Sequence, residues 1–163
     1  MIPLLVSYNG KRGYSPEYPL LKEFLYQAIF QRDENALIPR SVLNDPSIAV
    51  YIRDFGKEED DLCLCAEVET NVIGAVWVRN IEGFGSIDAG TPEFALSLYP
   101  TYRGYGIGTA LMRRMLEKLE KAGYEQASLA VQKENAAKNM YLRLGFESCD
   151  ENEEEFIMVY RFG

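Results

Sequence analysis

A run of alternating glycines lies between a predicted strand and a predicted helix in the second half of the chain. Residues 94–99 are mostly apolar and read as a strand, and the glycines are Gly104, Gly106 and Gly108 in RGYGIG. Apolar residues then recur at helical spacing up to Gly123, where a helix is expected to stop. Such a turn leaves unpaired backbone N–H groups at the positive end of the helix dipole. The pattern therefore predicts a strand–turn–helix unit that binds a phosphate or pyrophosphate group.

Two common phosphate-binding motifs do not fit this turn. A nucleotide P-loop requires a Lys beside the final glycine, where this chain has Thr109. A dinucleotide-binding unit requires an acidic residue at the end of the next strand. Here the strand predicted at 127–131 is followed by Gln132 and Lys133, with Glu134 only after them. Both ligand types are therefore disfavoured.

The rest of the chain predicts a mixed α/β (α+β) domain around one sheet. Helical spacing predicts helices at 19–32, from Asp45-Pro46 to about Ile52, and at 135–144. Strand patterns occur at 62–68 and 72–78, which form a hairpin, and at 94–99, 127–131 and 156–161. The charged stretches 57–61 and 150–155 are expected to be solvated connections, and 79–92 a long, turn-rich one. No linker or repeat divides the sequence, so we expect a single domain over 1–163.

The chain contains no histidine, and 25 acidic residues against 17 basic ones give a net charge of -8. The absence of histidine excludes Ser-His-Asp and Cys-His catalysis and His-ligated zinc, so proton transfer must use Glu, Asp, Tyr, Lys, Cys or water. Acidity disfavours nucleic-acid and anionic-membrane partners. The cysteines Cys63, Cys65 and Cys149 are interpreted as small apolar residues rather than a metal site. With no signal peptide or membrane span recognised, we expect a cytoplasmic protein.

Two segments together resemble the GNAT superfamily of N-acetyltransferases. RGYGIG, residues 103–108, matches the acyl-CoA signature (Gln or Arg)-x-x-Gly-x-(Gly or Ala) and follows a strand ending in Leu96-Ser97-Leu98. ENAAKNMYLRLGF, residues 134–146, is similar to a second signature, an Asn, a Tyr six or seven residues later, and then x-x-x-Gly-Phe. Two signatures in the correct order are far more specific than either alone. The resemblance is close over 94–146 and looser over the rest of the chain.

The resemblance implies a central, mixed but mostly antiparallel sheet with two splayed strands, flanked by helices, and acetyl-CoA as co-substrate. Backbone groups of Leu96, Ser97 and Leu98 would pair with the pantetheine arm as if it were an added strand. The N–H of Leu98 would donate to the thioester carbonyl. The pyrophosphate would be wrapped by the turn residues Gly104, Tyr105, Gly106, Ile107, Gly108 and Thr109.

Three polar side chains extend this expected cofactor site. The resemblance implies that Asn135 hydrogen-bonds the pantetheine arm and that Arg103 and Lys138 add charge for the remaining phosphates. Each has a structural alternative. Asn135 is a good helix N-cap, and the two basic residues are long surface side chains that water alone can solvate.

Tyr141 occupies the position where the family places a Tyr near the CoA sulfur, as general acid to the leaving thiolate; core packing is its alternative. For the general base, some members use a Glu on the strand before the turn, and Glu93 lies at the start of that strand. A solvated or loop-fixing role is the alternative for Glu93, and Asp88 is a weaker candidate base. Other members carry a Glu five residues before the Asn, where this chain has Ala130.

The expected function is transfer of an acetyl group from acetyl-CoA to a primary amine of a small molecule or peptide. Because Ala130 replaces a family glutamate, a non-catalytic acyl-CoA-binding or regulatory domain is the alternative. We expect no bound metal and no nucleic-acid or membrane partner. Because dimers are common in the family, the resemblance also allows a homodimer. Tyr26, Phe30, Trp77 and the connection 79–92 are candidates to line the acceptor side.

Overall fold

Seven strands form one mixed sheet with helices on both faces in the computed structural model, which describes residues 4–8 and 17–163. The strands are β1 (Leu4–Tyr8), β2 (Leu62–Val68), β3 (Asn71–Arg79), β4 (Glu93–Leu98), β5 (Gln126–Gln132), β6 (Glu147–Glu151) and β7 (Glu155–Arg161). The helices are α1 (Glu17–Ala28), α2 (Pro46–Ala49), α3 (Ile107–Lys121) and α4 (Ala137–Leu144), with 3₁₀ helices at Arg40–Asn44 and Pro100–Tyr102. The strand order is β1-β2-β3-β4-β5-β7-β6, and among these described strands only β4 and β5 run parallel to each other.

The two faces of the sheet carry separate apolar cores. On one face the buried stripe of α3 packs with α4 against the sheet, and Phe94 and Leu98 of β4 belong to this core. On the other face α1 and the segment around α2 pack on Trp77 of β3 and Ala95 of β4. Successive residues of a strand point to opposite faces. The odd-numbered residues of β4 therefore face α1 and α2, and the even-numbered ones face α3 and α4.

The parallel strands β4 and β5 separate almost immediately. They are paired at a single position, Glu93 with Ser128, where the Ser128 N–H donates to the Pro92 carbonyl at 3.0 Å. All six residues of β4 remain paired with β3 on the other side. A gap therefore opens in the middle of the sheet, as the resemblance implied.

The backbone of β4 presents hydrogen-bonding groups to this gap. The Tyr99 N–H, one residue beyond the strand, donates to the Ile73 carbonyl of β3 at 3.0 Å. Alternate residues of an antiparallel strand direct their N–H and C=O groups to the same neighbour. The N–H and C=O groups of Leu96 and Leu98 consequently point away from β3 and into the gap.

Two strands were not expected from the sequence, and two helices end earlier than expected, since α2 ends at Ala49 rather than near Ile52. β6 is a charged edge strand whose five residues are all exposed, so no apolar alternation marks it. Part of the acidic run expected to be a turn belongs to β6 and β7. β1 is a five-residue patch that pairs antiparallel with β2. The helix expected over 19–32 ends at Ala28. Within the described residues, no helix is long and apolar enough to cross a membrane.

The charged stretch 57–61 is not wholly solvated, because Asp61 is only 6% exposed. Its carboxylate accepts hydrogen bonds from Arg79 Nε at 2.9 Å and Nη2 at 3.1 Å. Arg79 Nη1 also donates to the carbonyls of Val50 and Arg53, at 2.9 and 2.7 Å. Asp61 is buried rather than solvated because the desolvated guanidinium of Arg79 requires an anionic partner. It also fixes the chain segment after α2 against the end of β3.

Candidate active site

The glycine turn holds a set of free backbone donors at the start of α3. Gly104 and Gly106 have φ values of 86° and 82°, a left-handed conformation that favours glycine. The first backbone hydrogen bond entering the helix runs from the Ala110 N–H to the Gly106 carbonyl, at 3.1 Å. The N–H groups of residues 107–109 are thus the unpaired donors of the first turn. That turn contains no acidic residue, so an anion meets no competing carboxylate on it.

The turn meets β4 and α4 at Gly108. A Cβ placed on Gly108 would lie 3.6 Å from a methyl carbon of Leu96, 3.8 Å from one of Leu98 and 3.6 Å from the Met140 sulfur. These are ordinary contact distances between the start of α3, the gap-facing residues of β4 and helix α4. The two segments that carry the family signatures therefore come together beside the gap.

The predicted pantetheine-binding segment of β4 is anchored on both sides. Ser97, on the α1 side, donates its hydroxyl to the Phe24 carbonyl at 2.7 Å. Arg103 Nε donates to the Leu98 carbonyl at 3.0 Å, and Arg103 Nη2 reaches the Gln27 carbonyl at 3.3 Å. The Arg103 side chain is thus turned toward β4 and α1, and the Leu98 N–H stays free of this contact. Burial lowers the pKa of Arg103.

The other two polar residues expected at the cofactor lie around the start of α4. Asn135 Oδ1 accepts the Ala137 N–H at 2.9 Å, a local hydrogen bond just before α4, whose N-cap position is Ala136. Lys138 Nζ donates to the Lys133 carbonyl at 3.1 Å and lies 5.6 Å from the centre of the Phe156 ring. Their roles toward pantetheine and phosphate remain predictions, since both side chains already have contacts within the protein.

Tyr141 is buried on the α3–α4 face, with its ring centre 5.8 Å from that of Phe146. Burial raises its pKa to about 12, because an apolar environment disfavours the charged phenolate. The hydroxyl therefore keeps its proton at neutral pH. A protonated phenol is able to serve as a hydrogen-bond donor or a general acid.

Glu93 is buried on the opposite face, where it is only 2% exposed. Its Oε2 accepts hydrogen bonds from the Tyr51 hydroxyl and from the Gly85 N–H, the latter at 3.0 Å. Its Oε1 is buried beside Gly83, whose backbone lowers the pKa of Glu93, and has no side-chain partner within the described residues. Burial raises the pKa of Glu93 to about 7, against the effect of the Tyr51 hydrogen bond. A carboxylate with this pKa can accept a proton near neutral pH.

The residues that surround Glu93 were not evident from the sequence. Two of them are glycines of the long connection before β4. A Cβ on Gly83 would lie 2.6 Å from both Glu93 Oε1 and the Tyr51 hydroxyl. A Cβ on Gly85 would lie 2.6 Å from the Ala130 nitrogen of β5. The paired glycines were a sequence signal for such close packing, whereas nothing in the sequence singled out Tyr51.

Trp77 and Asp88 differ from their expected roles. Trp77 was expected at the acceptor side, but it is 1% exposed and its Nε1 donates to the Tyr51 carbonyl at 3.0 Å. Asp88 accepts from the Gly90 N–H at 2.9 Å and from the Thr91 hydroxyl at 2.7 Å. Those hydrogen bonds lower the pKa of Asp88 and give it a loop-fixing role.

The loop after α1 contributes to the same face as Glu93. The Tyr26 hydroxyl donates to the Ile38 carbonyl, at 2.5 Å. Arg32 reaches across to the end of β5, where its Nη2 donates to Gln132 at 2.5 Å and its Nε to Glu134 at 3.2 Å. The loop thus connects the end of α1 with the end of β5. The second signature segment, residues 134–146, begins there.

Comparison with known sequences agrees with this arrangement. Residues 25–146 match the sequence profile of the acetyltransferase (GNAT) family. An acetyltransferase of Pectobacterium atrosepticum is 31% identical over 109 residues, which cover 66% of this chain and 71% of that protein. An acetyltransferase of Sodalis glossinidius is 32% identical over 109 residues, which cover 66% of this chain and 70% of that protein.

Solved structures share the fold over nearly the whole chain. The PaiA N-acetyltransferase of Thermoplasma acidophilum, in complex with coenzyme A, superposes with a TM-score of 0.65 at 20% identity, covering 99% of this chain and 100% of that one. YncA of Salmonella typhimurium, with its cofactor acetyl-CoA, gives a TM-score of 0.69 at 14% identity, covering 100% and 95%. The sequence profile, the relatives and the splayed sheet agree, and the chain belongs to the acetyltransferase (GNAT) family.

Proposed function

We propose that the protein is an N-acetyltransferase that moves an acetyl group from acetyl-CoA directly to a primary amine of a small molecule or peptide. The observation that carries the proposal is the gap between β4 and β5, which opens beside the free N–H groups of the glycine turn. The presence of coenzyme A and acetyl-CoA in two proteins of the same fold supports the choice of co-substrate.

In this proposal the cofactor lies along the α3 side of the gap. The N–H groups of the turn bind the pyrophosphate, as unpaired helix-start donors do for anions. The gap-facing groups of Leu96 take the place of a missing strand partner for the pantetheine arm, and Leu98 contributes its N–H at the thioester end. Arg103 already occupies the Leu98 carbonyl, which leaves the Leu98 N–H for the thioester oxygen.

The acid and base candidates lie on opposite faces of the sheet, which suits direct transfer. The acceptor nitrogen attacks the thioester carbonyl carbon, and the Leu98 N–H stabilises the negative charge that develops on oxygen. Glu93 accepts the proton released by the nitrogen, directly or through water. When the carbon–sulfur bond breaks, the electron pair leaves with sulfur and Tyr141 protonates the thiolate. The products are the acetylated amine and the free CoA thiol.

Release of free thiol from acetyl-CoA across a panel of amines tests this function. We expect turnover by the native protein and a loss of about 10²-fold or more in the Glu93→Gln variant, since a general base contributes on that scale. Unchanged turnover in Glu93→Gln would contradict the role of Glu93. Absence of thiol release across a broad panel, despite binding of CoA, would contradict the function itself.

A non-catalytic acyl-CoA-binding domain is the second candidate. The replacement of a family glutamate by Ala130 favours it, as does the nearly complete burial of Glu93. Calorimetry distinguishes the two candidates when it is combined with the thiol assay. If the protein is a binding domain, we expect it to bind CoA without releasing thiol in the presence of any amine. If it binds phosphate groups of another kind, we expect it to bind ATP or NAD more tightly than CoA.

A further inference from the structure

The Tyr51 side chain makes a buried contact that the catalytic scheme does not require. Tyr51 follows α2 and is 9% exposed. Its hydroxyl donates to Glu93 Oε2 and accepts the Phe84 N–H at 2.9 Å. Both hydrogen-bonding functions of this hydroxyl are therefore used, one on the carboxylate and one on the loop that covers it.

The position of Tyr51 is itself fixed by the neighbouring strand. The Tyr51 carbonyl accepts from Trp77 Nε1 of β3 at 3.0 Å. The adjacent carbonyls of Val50 and Arg53 accept from Arg79, which is paired with the buried Asp61. Because all six residues of β4 are paired with β3, these contacts fix the position of the phenol relative to Glu93.

The two oxygens of the Glu93 carboxylate are consequently different. Oε2 accepts from Tyr51 and from Gly85, whereas Oε1 is buried beside Gly83, whose backbone lowers the pKa of the carboxyl group, and has no side-chain partner within the described residues. A buried carboxylate oxygen is costly unless a neighbouring donor stabilises it. The fit is close, since a Cβ on Gly83 would come within 2.6 Å of Oε1 and of the Tyr51 hydroxyl.

We propose that Tyr51 is a positioning residue for the general base: its hydroxyl holds Oε2 of Glu93 and thereby orients the carboxylate that accepts the proton of the acceptor amine. The inference rests on the proposed function, because it assigns a role within that reaction. It adds Tyr51, which lies outside both signature segments, to the residues on which turnover depends.

The ionisation of Glu93 supplies a readout that a purely structural role would not change. The titratable groups that act on it in the structure are the Tyr51 phenol and Glu155 at the start of β7. Burial and the nearby Glu93 raise the pKa of Tyr51, so the phenol remains a protonated donor. Its hydrogen bond favours the carboxylate form of Glu93, and its removal therefore shifts the Glu93 titration to higher pH.

The Tyr51→Phe variant tests the proposal, with two measurements on the full chain. We expect the pKa of Glu93, followed by carbon-13 NMR of its carboxyl group and assigned with Glu93→Gln, to rise by about one pH unit. We expect kcat to fall about 10-fold while KM for acetyl-CoA is unchanged, because Tyr51 lies on the α1 side of the sheet, opposite the proposed cofactor site. Tyr124→Phe is the matched control, because Tyr124 also donates to a carboxylate, that of Asp60, away from the site.

A second variant covers the case in which Tyr51→Phe unfolds. Gly83→Ala keeps every hydrogen-bonding group but displaces Oε1 and the phenol, so it is expected to lower kcat in the same way. Full turnover and an unshifted Glu93 titration in folded Tyr51→Phe would overturn the positioning role alone. A native protein without turnover on any amine would overturn the proposed function, and the present inference with it.

Discussion

At the scale of the residue, Glu93 is subject to two opposing effects. Desolvation disfavours its charge, whereas Tyr51 and the Gly85 N–H stabilise the carboxylate. Desolvation is the larger effect, and the pKa rises from the ordinary 4.5 to about 7. The strand position of Glu93 was readable from the sequence, but its burial depends on a loop whose packing sequence periodicity does not encode.

The raised pKa of Glu93 makes stability depend on pH. Between pH 4.5 and 7 the unfolded chain loses the Glu93 proton while the folded chain keeps it. The contribution of protonated Glu93 to the free energy of unfolding is therefore full below pH 4.5 and is lost as the pH rises through 7. Glu93→Gln stays neutral at every pH. We expect its free energy of unfolding, relative to the native protein, to increase by roughly 3 kcal/mol between pH 4.5 and 8. Urea denaturation at both pH values measures this; an equal difference at the two would contradict it.

The phenol of Tyr141 is expected to act as an acid rather than as packing. Tyr141→Phe keeps the buried ring and removes the proton donor, so turnover should fall about 10²-fold with CoA affinity unchanged. Thiol release and calorimetry measure the two effects. Tyr160→Phe is the control, because Tyr160 packs on the same Phe146 ring, with ring centres 5.4 Å apart. Equal effects of the two substitutions would assign Tyr141 to the core.

At the scale of the element, the glycine turn and α3 were predictable because each part has a local physical cause. The alternating glycines of the turn, the apolar stripe of the helix and the glycine that ends the helix are all visible in the sequence. The exposed strand β6 was not predictable, since it lacks apolar alternation and its pairing with β7 is tertiary. The burial of Asp61 was hidden in the same way, because its partner Arg79 is distant in sequence.

Substitution in the turn is expected to separate strain from ligand binding. Gly106→Ala places a Cβ at φ 82°, which costs about 1 kcal/mol, and puts a methyl group where the cofactor pyrophosphate would approach. CoA affinity should therefore fall at least 10-fold by calorimetry. Gly123→Ala is the matched control at the other end of α3, since its φ is 89° and its Cβ also meets no atom within 4 Å. It should lose similar stability and keep CoA affinity.

The buried pair of Asp61 and Arg79 is expected to hold the segment after α2 in place. Asp61→Ala leaves a buried guanidinium without its anion, so we expect a loss of about 3 kcal/mol in the free energy of unfolding. Urea denaturation checks the value. Glu147→Ala removes the exposed partner of Arg161, 3.3 Å away, and should cost less than about 1 kcal/mol. A similar loss of free energy of unfolding in the two variants would contradict the idea that burial determines how much an ion pair stabilises the fold.

At the scale of the whole molecule, the sequence supported the fold class but not the arrangement of partners around the base. The signature segments 103–108 and 134–146 carry local backbone geometry, and their family resemblance implied the splayed sheet. The environment of Glu93 is assembled from three separated stretches, namely the segment after α2, the connection before β4 and β7. Such long-range packing has no periodic signature in one sequence. The face of the sheet that carries Glu93 is accordingly where the structure adds most to the family resemblance.

The acidic strand β6 also has a consequence for how the protein behaves in concentrated solution. It forms the end of the sheet beyond β7, with Glu147, Asp150 and Glu151 exposed. An open strand edge is a template on which another chain can add, and this is one route to aggregates. A second copy adding here through its own β6 would bring like charges opposite each other, which is destabilising. We therefore expect the net charge of β6 to oppose growth of the sheet from one molecule into the next, with Glu147 and Glu151 partly neutralised by Arg161 and Lys133.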